Sequence, residues 1–193
     1  KKGVEYLKTK NFNEAENCFE ELKNIYPTNR DILTNLIISC FQNKKFEKSE
    51  KLIQNMFDLG FKDKKLTEFL LFILKQQDKI KEVIETISKE KDKINKKYQL
   101  LEKFERPAIP MSKDEINIIR ENTFKKIDQA ITDSNLKLTI DDQYLDPPMF
   151  YYTYDNEDNL ELSKKLNKLF KKTYLELQNN FETKFNDNEK IKI

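Results

Sequence analysis

The sequence predicts a mostly α chain: a stack of short helical repeats followed by a helical connecting module. Three observations carry this expectation. Two glycines and no tryptophan accompany 36% charged and 37% hydrophobic residues, a balance that suits long amphipathic helices better than sheets. A 34-residue period runs through residues 1–90. Beyond it, helical spacing of apolar residues resumes in separate stretches, interrupted by proline-rich connectors.

The period is read by laying the chain against itself. Phe12, Phe46 and Ile80 fall at equal intervals, and so do Ala15, Ser49 and Val83, then Phe19, Ile53 and Ile87, then Tyr6, Cys40 and Leu74. A single helical pair cannot bury its own apolar stripe, so neighbouring pairs must stack to make one continuous core. Helices are predicted near residues 1–8, 13–26, 30–43, 47–59, 64–76 and 79–90. Pro27 ends the second of these, because proline has no amide to donate and pushes the residue before it out of the α region. Gly60 stops the fourth after Leu59.

The pattern resembles the tetratricopeptide repeat, in which two antiparallel helices form one unit. Gly3, Tyr6, Phe12, Ala15, Phe19 and Pro27 match that family's small, aromatic, aromatic, small, aromatic and proline positions. The second repeat keeps Leu33, Leu36, Phe46 and Ser49 but has Ile37 at a small position and Phe61 at the proline position. The third keeps apolar character alone, as a degenerate or capping repeat would. The resemblance implies a concave groove for an extended peptide, lined by the first helix of each pair. Asn35 stands where groove asparagines occur in the repeats of O-linked N-acetylglucosamine transferases, where an amide that both donates and accepts can hold a peptide backbone. The equivalent positions are Lys1 and Phe69, so no asparagine ladder forms, and an ordinary solvent-facing helix residue is the preferred reading of Asn35 over a peptide contact.

The connecting module begins with Ile94, Tyr98, Leu101 and Phe104, whose spacing predicts a helix over 92–104 that closes the repeat stack. The stretch RPAIP then breaks the periodicity, with Pro107 and Pro110 making a stiff extended connector. Ser112 and Glu115 form a capping-box signature, and the helix it opens carries Ile116, Ile119, Phe124, Ile127 and Ile131 along one side to about Asp133. Leu136, Leu138 and Ile140 alternate with polar residues, as a short extended segment does. A turn at Asp146–Pro148 precedes Phe150, Tyr151, Tyr152 and Tyr154. Such rings can stack on bases or carbohydrate, but no basic cluster accompanies them, so a packing plug is the preferred reading. Asp158 is the expected cap of a last helix with Leu162, Leu166, Leu169, Thr173, Leu177 and Phe181 on its buried side. Its lysines, Lys164, Lys165, Lys168, Lys171 and Lys172, are diluted by Glu161, Glu176 and Glu182 and read as a solvated face.

Composition excludes several functions. The formal net charge of +2 arises from 36 basic and 34 acidic residues spread along the chain, which leaves no footprint for nucleic acid or anionic lipid. The longest apolar run, Phe69–Leu74, is far shorter than the roughly 20 residues of a membrane-spanning helix. Cys18 and Cys40 are the only cysteines, and with no histidine in the chain they cannot complete a zinc site, so both read as structural thiols of a reducing, cytoplasmic compartment. No catalytic residue, metal site or cofactor site is assigned.

Taken together, RPAIPMSKDEINIIRENTF and DPPMFYYTYDNEDNLELSKKLNKLF resemble the segment that joins the repeats to the catalytic half in bacterial SPINDLY-type relatives of O-linked N-acetylglucosamine transferase. The matching features are the proline stretch before a capped helix bearing Arg120, the aromatic run at Phe150 to Tyr154, and the Asn/Asp-rich start of the next helix. The resemblance implies a parent enzyme that transfers N-acetylglucosamine from a uridine diphosphate donor to serine or threonine. This chain would supply its repeats and linker, presenting a protein or peptide acceptor to a catalytic domain beyond Ile193. The expected divisions are 1–104 for repeats and closing helix, 105–185 for the connecting module, and 186–193 for a hinge and the opening strand of that catalytic domain. Because the chain begins at Lys1 within a helical pattern, it reads as a fragment. The alternative of another class is a stand-alone repeat adaptor for protein partners; nucleic-acid binding through the lysines and tyrosines is a weaker third.

Overall fold

The computed structural model describes residues 1–107, 109–133, 137–138 and 149–174, and these residues are mostly helical. By its internal contacts the chain divides into two compact units, Lys1–Asn95 and Lys96–Ile193.

The first unit holds six helices: α1 (Lys2–Lys8), α2 (Phe12–Ile25), α3 (Arg30–Gln42), α4 (Phe46–Asp58), α5 (Lys64–Gln76) and α6 (Ile80–Glu90). Each packs on the next in chain order. Connections of three to five residues between packed helices leave room only for antiparallel neighbours. The 34-residue period is visible in the backbone, since α2, α4 and α6 start at Phe12, Phe46 and Ile80, and α3 and α5 at Arg30 and Lys64. It is also visible in how the ends are capped. Asn29 accepts a hydrogen bond from the amide of Ile32 at the head of α3, and Asp63 does the same for Leu66 at the head of α5.

The tails of α1, α3 and α5 end alike. Lys10, Lys44 and Asp78 take left-handed φ of 59°, 59° and 55°. Their amides donate to Leu7, Phe41 and Lys75, while the following amides of Asn11, Lys45 and Lys79 donate to Tyr6, Cys40 and Leu74. Each is a Schellman turn that satisfies carbonyls a helix end would otherwise leave open. Gly60, with φ 85°, makes the same turn after α4, as its position in the sequence suggests. Glycine would fit the other three turns with less strain, so the polar residues there hide the helix ends from a reading based on glycine and proline.

Small residues set the close approaches. Gly3 on α1 is buried with its Cα side against the Phe19 ring and Cys18 of α2. Ala15 and Ser49 are fully buried at corresponding places in α2 and α4, and the Ser49 hydroxyl donates to the carbonyl of Ile37. Leu33, Leu36, Ile53, Met56, Leu71 and Ile87 are among the apolar side chains that fill the space between the helices.

The second unit holds α7 (Lys97–Leu101), α8 (Lys113–Thr132), α9 (Met149–Tyr152) followed by a 3-10 turn at Thr153–Asp155, and α10 (Leu160–Thr173). α8 packs on α10. Its core brings together Leu100, Phe104, Ile127, Tyr152, Leu162 and Leu169. The amide of Leu138 donates to the carbonyl of Thr173, forming an isolated parallel bridge between Leu138 and Tyr174.

Several sequence expectations change here. No single helix spans 92–104 to close the repeats; only Lys97–Leu101 is helical, and Leu100 and Phe104 are buried in the core of the second unit. The boundary therefore lies between Asn95 and Lys96 instead of after Phe104. The innermost line of α8 is Arg120, Thr123, Ile127 and Ala130, not the purely apolar stripe expected, and Phe124 and Ile131 flank it. At the head of α8, Ser112 accepts from the Glu115 amide, as expected, but the Glu115 carboxylate reaches the amide of Met111 instead of that of Ser112. The cap position of α10 is Asn159, one residue later than expected, with Asp158 accepting from the Leu160 amide. Leu162, Leu166, Leu169 and Thr173 are buried as anticipated. Leu136, Ile140, the Asp146–Pro148 turn, Leu177, Phe181 and the 186–193 hinge and strand lie outside the described residues.

Candidate functional site

Two kinds of contact arrange the first unit into two layers. On one side, Lys48 of α4 bonds Glu16 at 2.8 Å and Glu20 at 2.7 Å, placing α2 beside α4. On the other, Arg30 at the head of α3 pairs with Asp63 at the head of α5, and the Phe41 ring of α3 meets Phe69 and Phe72 of α5 at centroid distances of 5.3 and 5.4 Å. The layer holding α3 and α5 is where the groove residues expected from the sequence fall.

Asn35 lies on α3, half-buried, and its Nδ2 donates to the Asp31 carbonyl of the preceding turn at 2.8 Å. One of its donors is therefore committed within its own helix. Phe41, one further turn and a half along α3, is the hub of an aromatic patch. Phe46 at the start of α4 touches it at 5.5 Å, and Phe72 remains 48% exposed at the patch's outer side. Edge and tilted contacts at these distances are the arrangements aromatic rings prefer.

Beside the patch, Phe46 also lines a cavity of about 600 Å³ at the turns that end α3 and α5. Lys44, Lys45, Glu47 and Lys48 line it from the α3–α4 turn and α4, and Gln76, Gln77 and Lys79 from the α5–α6 turn. Behind this wall sits Glu16, itself only 3% exposed. It accepts from Asn43 at 2.6 Å, from Lys45 at 2.9 Å and from Lys48 at 2.8 Å. Burial by itself pushes the Glu16 carboxyl upward, but the hydrogen bonds from Lys48, Lys45 and Asn43 outweigh it and hold the group at about 2. One repeat later Glu50 accepts from Gln77 at 2.7 Å and Lys79 at 2.6 Å, and its carboxyl is lowered in the same way against the opposing effect of burial. These junctions were not foreseen in the sequence. Their signal was available as Glu16 and Glu50, each just after the small residue of the period, with Asn43 and Lys45 then Gln77 and Lys79 at matching offsets.

The second unit carries its own polar cluster. Arg106, with a side chain 1% exposed, grips Asp155 through two hydrogen bonds of 2.8 and 2.9 Å. Arg120 approaches the same carboxylate at 3.6 Å, donates to the Asn159 side chain and to the Asp158 carbonyl, and so ties α8 to the head of α10. The Arg106 guanidinium lies 4.6 Å from the centre of the Tyr152 ring, whose hydroxyl bonds Thr123 at 2.8 Å. With each of these partners engaged, the cluster is a clamp. Of the four aromatic residues in the run, Tyr152 fills the core, while Phe150, Tyr151 and Tyr154 are 66%, 38% and 72% exposed. Most of that run is therefore not the packing plug expected.

Burial drives the Cys40 thiol up to about 12, with the neighbouring Glu16 carboxylate adding to the effect, so it is inert as a nucleophile. Among the described residues no group of histidine, cysteine, aspartate or glutamate side chains is arranged to hold a metal ion, and no helix is long and apolar enough to cross a membrane. Comparison with protein-family models, with curated proteins and with solved structures finds no match for this chain.

Proposed function

We propose that this chain is a non-catalytic protein-recognition element. In this reading its first unit is a tetratricopeptide-type stack that takes an extended peptide along the layer of α3 and α5. The single observation that supports it most is the recurrence, at 34 residues, of both the left-handed Schellman turns and the glutamate junctions at Glu16 and Glu50. A fold built by repeating one junction gains binding surface with each repeat, and extended partners are the usual occupants of such a surface. The SPINDLY-like motifs make the acceptor-selecting half of a protein O-glycosyltransferase the setting we propose. In that setting the second unit acts as the collar toward a catalytic domain, and the Arg106–Asp155–Arg120 clamp gives it the rigidity a collar needs.

The test is a peptide array probed with the purified chain, read alongside Asn35→Ala and Phe72→Ala variants. A subset of peptides is expected to bind and to lose signal with Phe72→Ala. Binding that ignores both substitutions would move the site away from the α3 and α5 layer. A parallel calorimetric titration with uridine diphosphate N-acetylglucosamine is expected to show no binding; a saturable isotherm would overturn the non-catalytic assignment.

A further inference from the structure

We draw no further inference here: the strongest candidate, the exposed aromatic patch that Phe150 forms with Tyr151 and Tyr154 on the second unit, is an unpartnered face, and nothing in the structure shows what covers it.

Discussion

Arg106 and Asp155, far apart in the chain, face each other through two parallel hydrogen bonds with both side chains almost wholly out of water. A paired guanidinium and carboxylate in this state are stable only together, because either one alone is a charge without solvent. Asp155→Ala strands Arg106 and removes the charge that Arg120 also faces at 3.6 Å. The expected loss is about 3–5 kcal/mol, the range for breaking a buried pair by removing one partner. Urea unfolding followed by circular dichroism measures it. The double variant Arg106→Met with Asp155→Leu is expected to lose less than Asp155→Ala alone; an equal or larger loss would show that the charges themselves, and not their pairing, hold the clamp.

The reach of the sequence is uneven for physical reasons. Helix starts at Phe12, Phe46 and Ile80 and the tight contacts at Ala15 and Ser49 were legible because steric rules act locally and repeat. The clamp was not, since nothing near Arg106 in the chain announces a partner at Asp155, and a buried arginine in α8 breaks the apolar stripe by which buried faces are recognised. The same reason misled the reading of Leu100 and Phe104, whose spacing is right for a helix facing the repeats but whose burial is decided by the core of the second unit. Asn35 was singled out by analogy of position alone, whereas the lysine wall became visible only once two turns, at Lys44–Lys48 and Gln76–Lys79, were brought to one cavity.

The glutamate junctions give the first unit a defined acid response. Glu16 sits at about 2 in the folded chain against a usual 4.5, so its contribution is complete above about 4.5 and is lost as pH falls toward about 2. In that window the unfolded chain binds more protons than the folded one, and stability therefore rises with pH. Glu50 is lowered too, and Glu90 is lowered chiefly by its hydrogen bond from Lys62, so both act with the same sign. For Glu16 the contribution is about 2 kcal/mol once the exposure of its lysine partners is discounted. Glu16→Gln should flatten the fall in urea midpoint between neutral and acid pH. An unchanged acid slope in that variant would assign the titration elsewhere.

Burial, aided by the same carboxylate, keeps Cys40 silent. Burial first, and then the negative charge of Glu16, raise the thiol to about 12, so its thiolate is scarce at any ordinary pH. Cys18 is half-buried at the α1–α2 contact, and Cys40 is fully buried. A thiol-reactive disulfide reagent at about pH 8 is expected to label Cys18 in the folded chain and Cys40 only when denaturant is added. Equal labelling rates of the two in the native protein, resolved with single Cys→Ala variants, would contradict the burial of Cys40.

Gly3 marks a close approach between α1 and α2. A Cβ built on it would stand 3.0 and 3.2 Å from two carbon atoms of the Phe19 ring and 3.3 Å from the Cys18 Cβ. Alanine inside a helix normally gains about 1 kcal/mol over glycine, but overpacking a filled core costs about 1–3 kcal/mol. Phe19 is 3% exposed, so its ring has nowhere to retreat, and Gly3→Ala should be net destabilising. Phe19→Leu removes the ring atoms that the new methyl would strike. In that background Gly3→Ala should become neutral or stabilising, and the coupling between the two substitutions is read from a double-mutant cycle in urea. If Gly3→Ala costs the same with Leu at position 19, the helices are kept close by something other than the fit of a ring against a bare backbone.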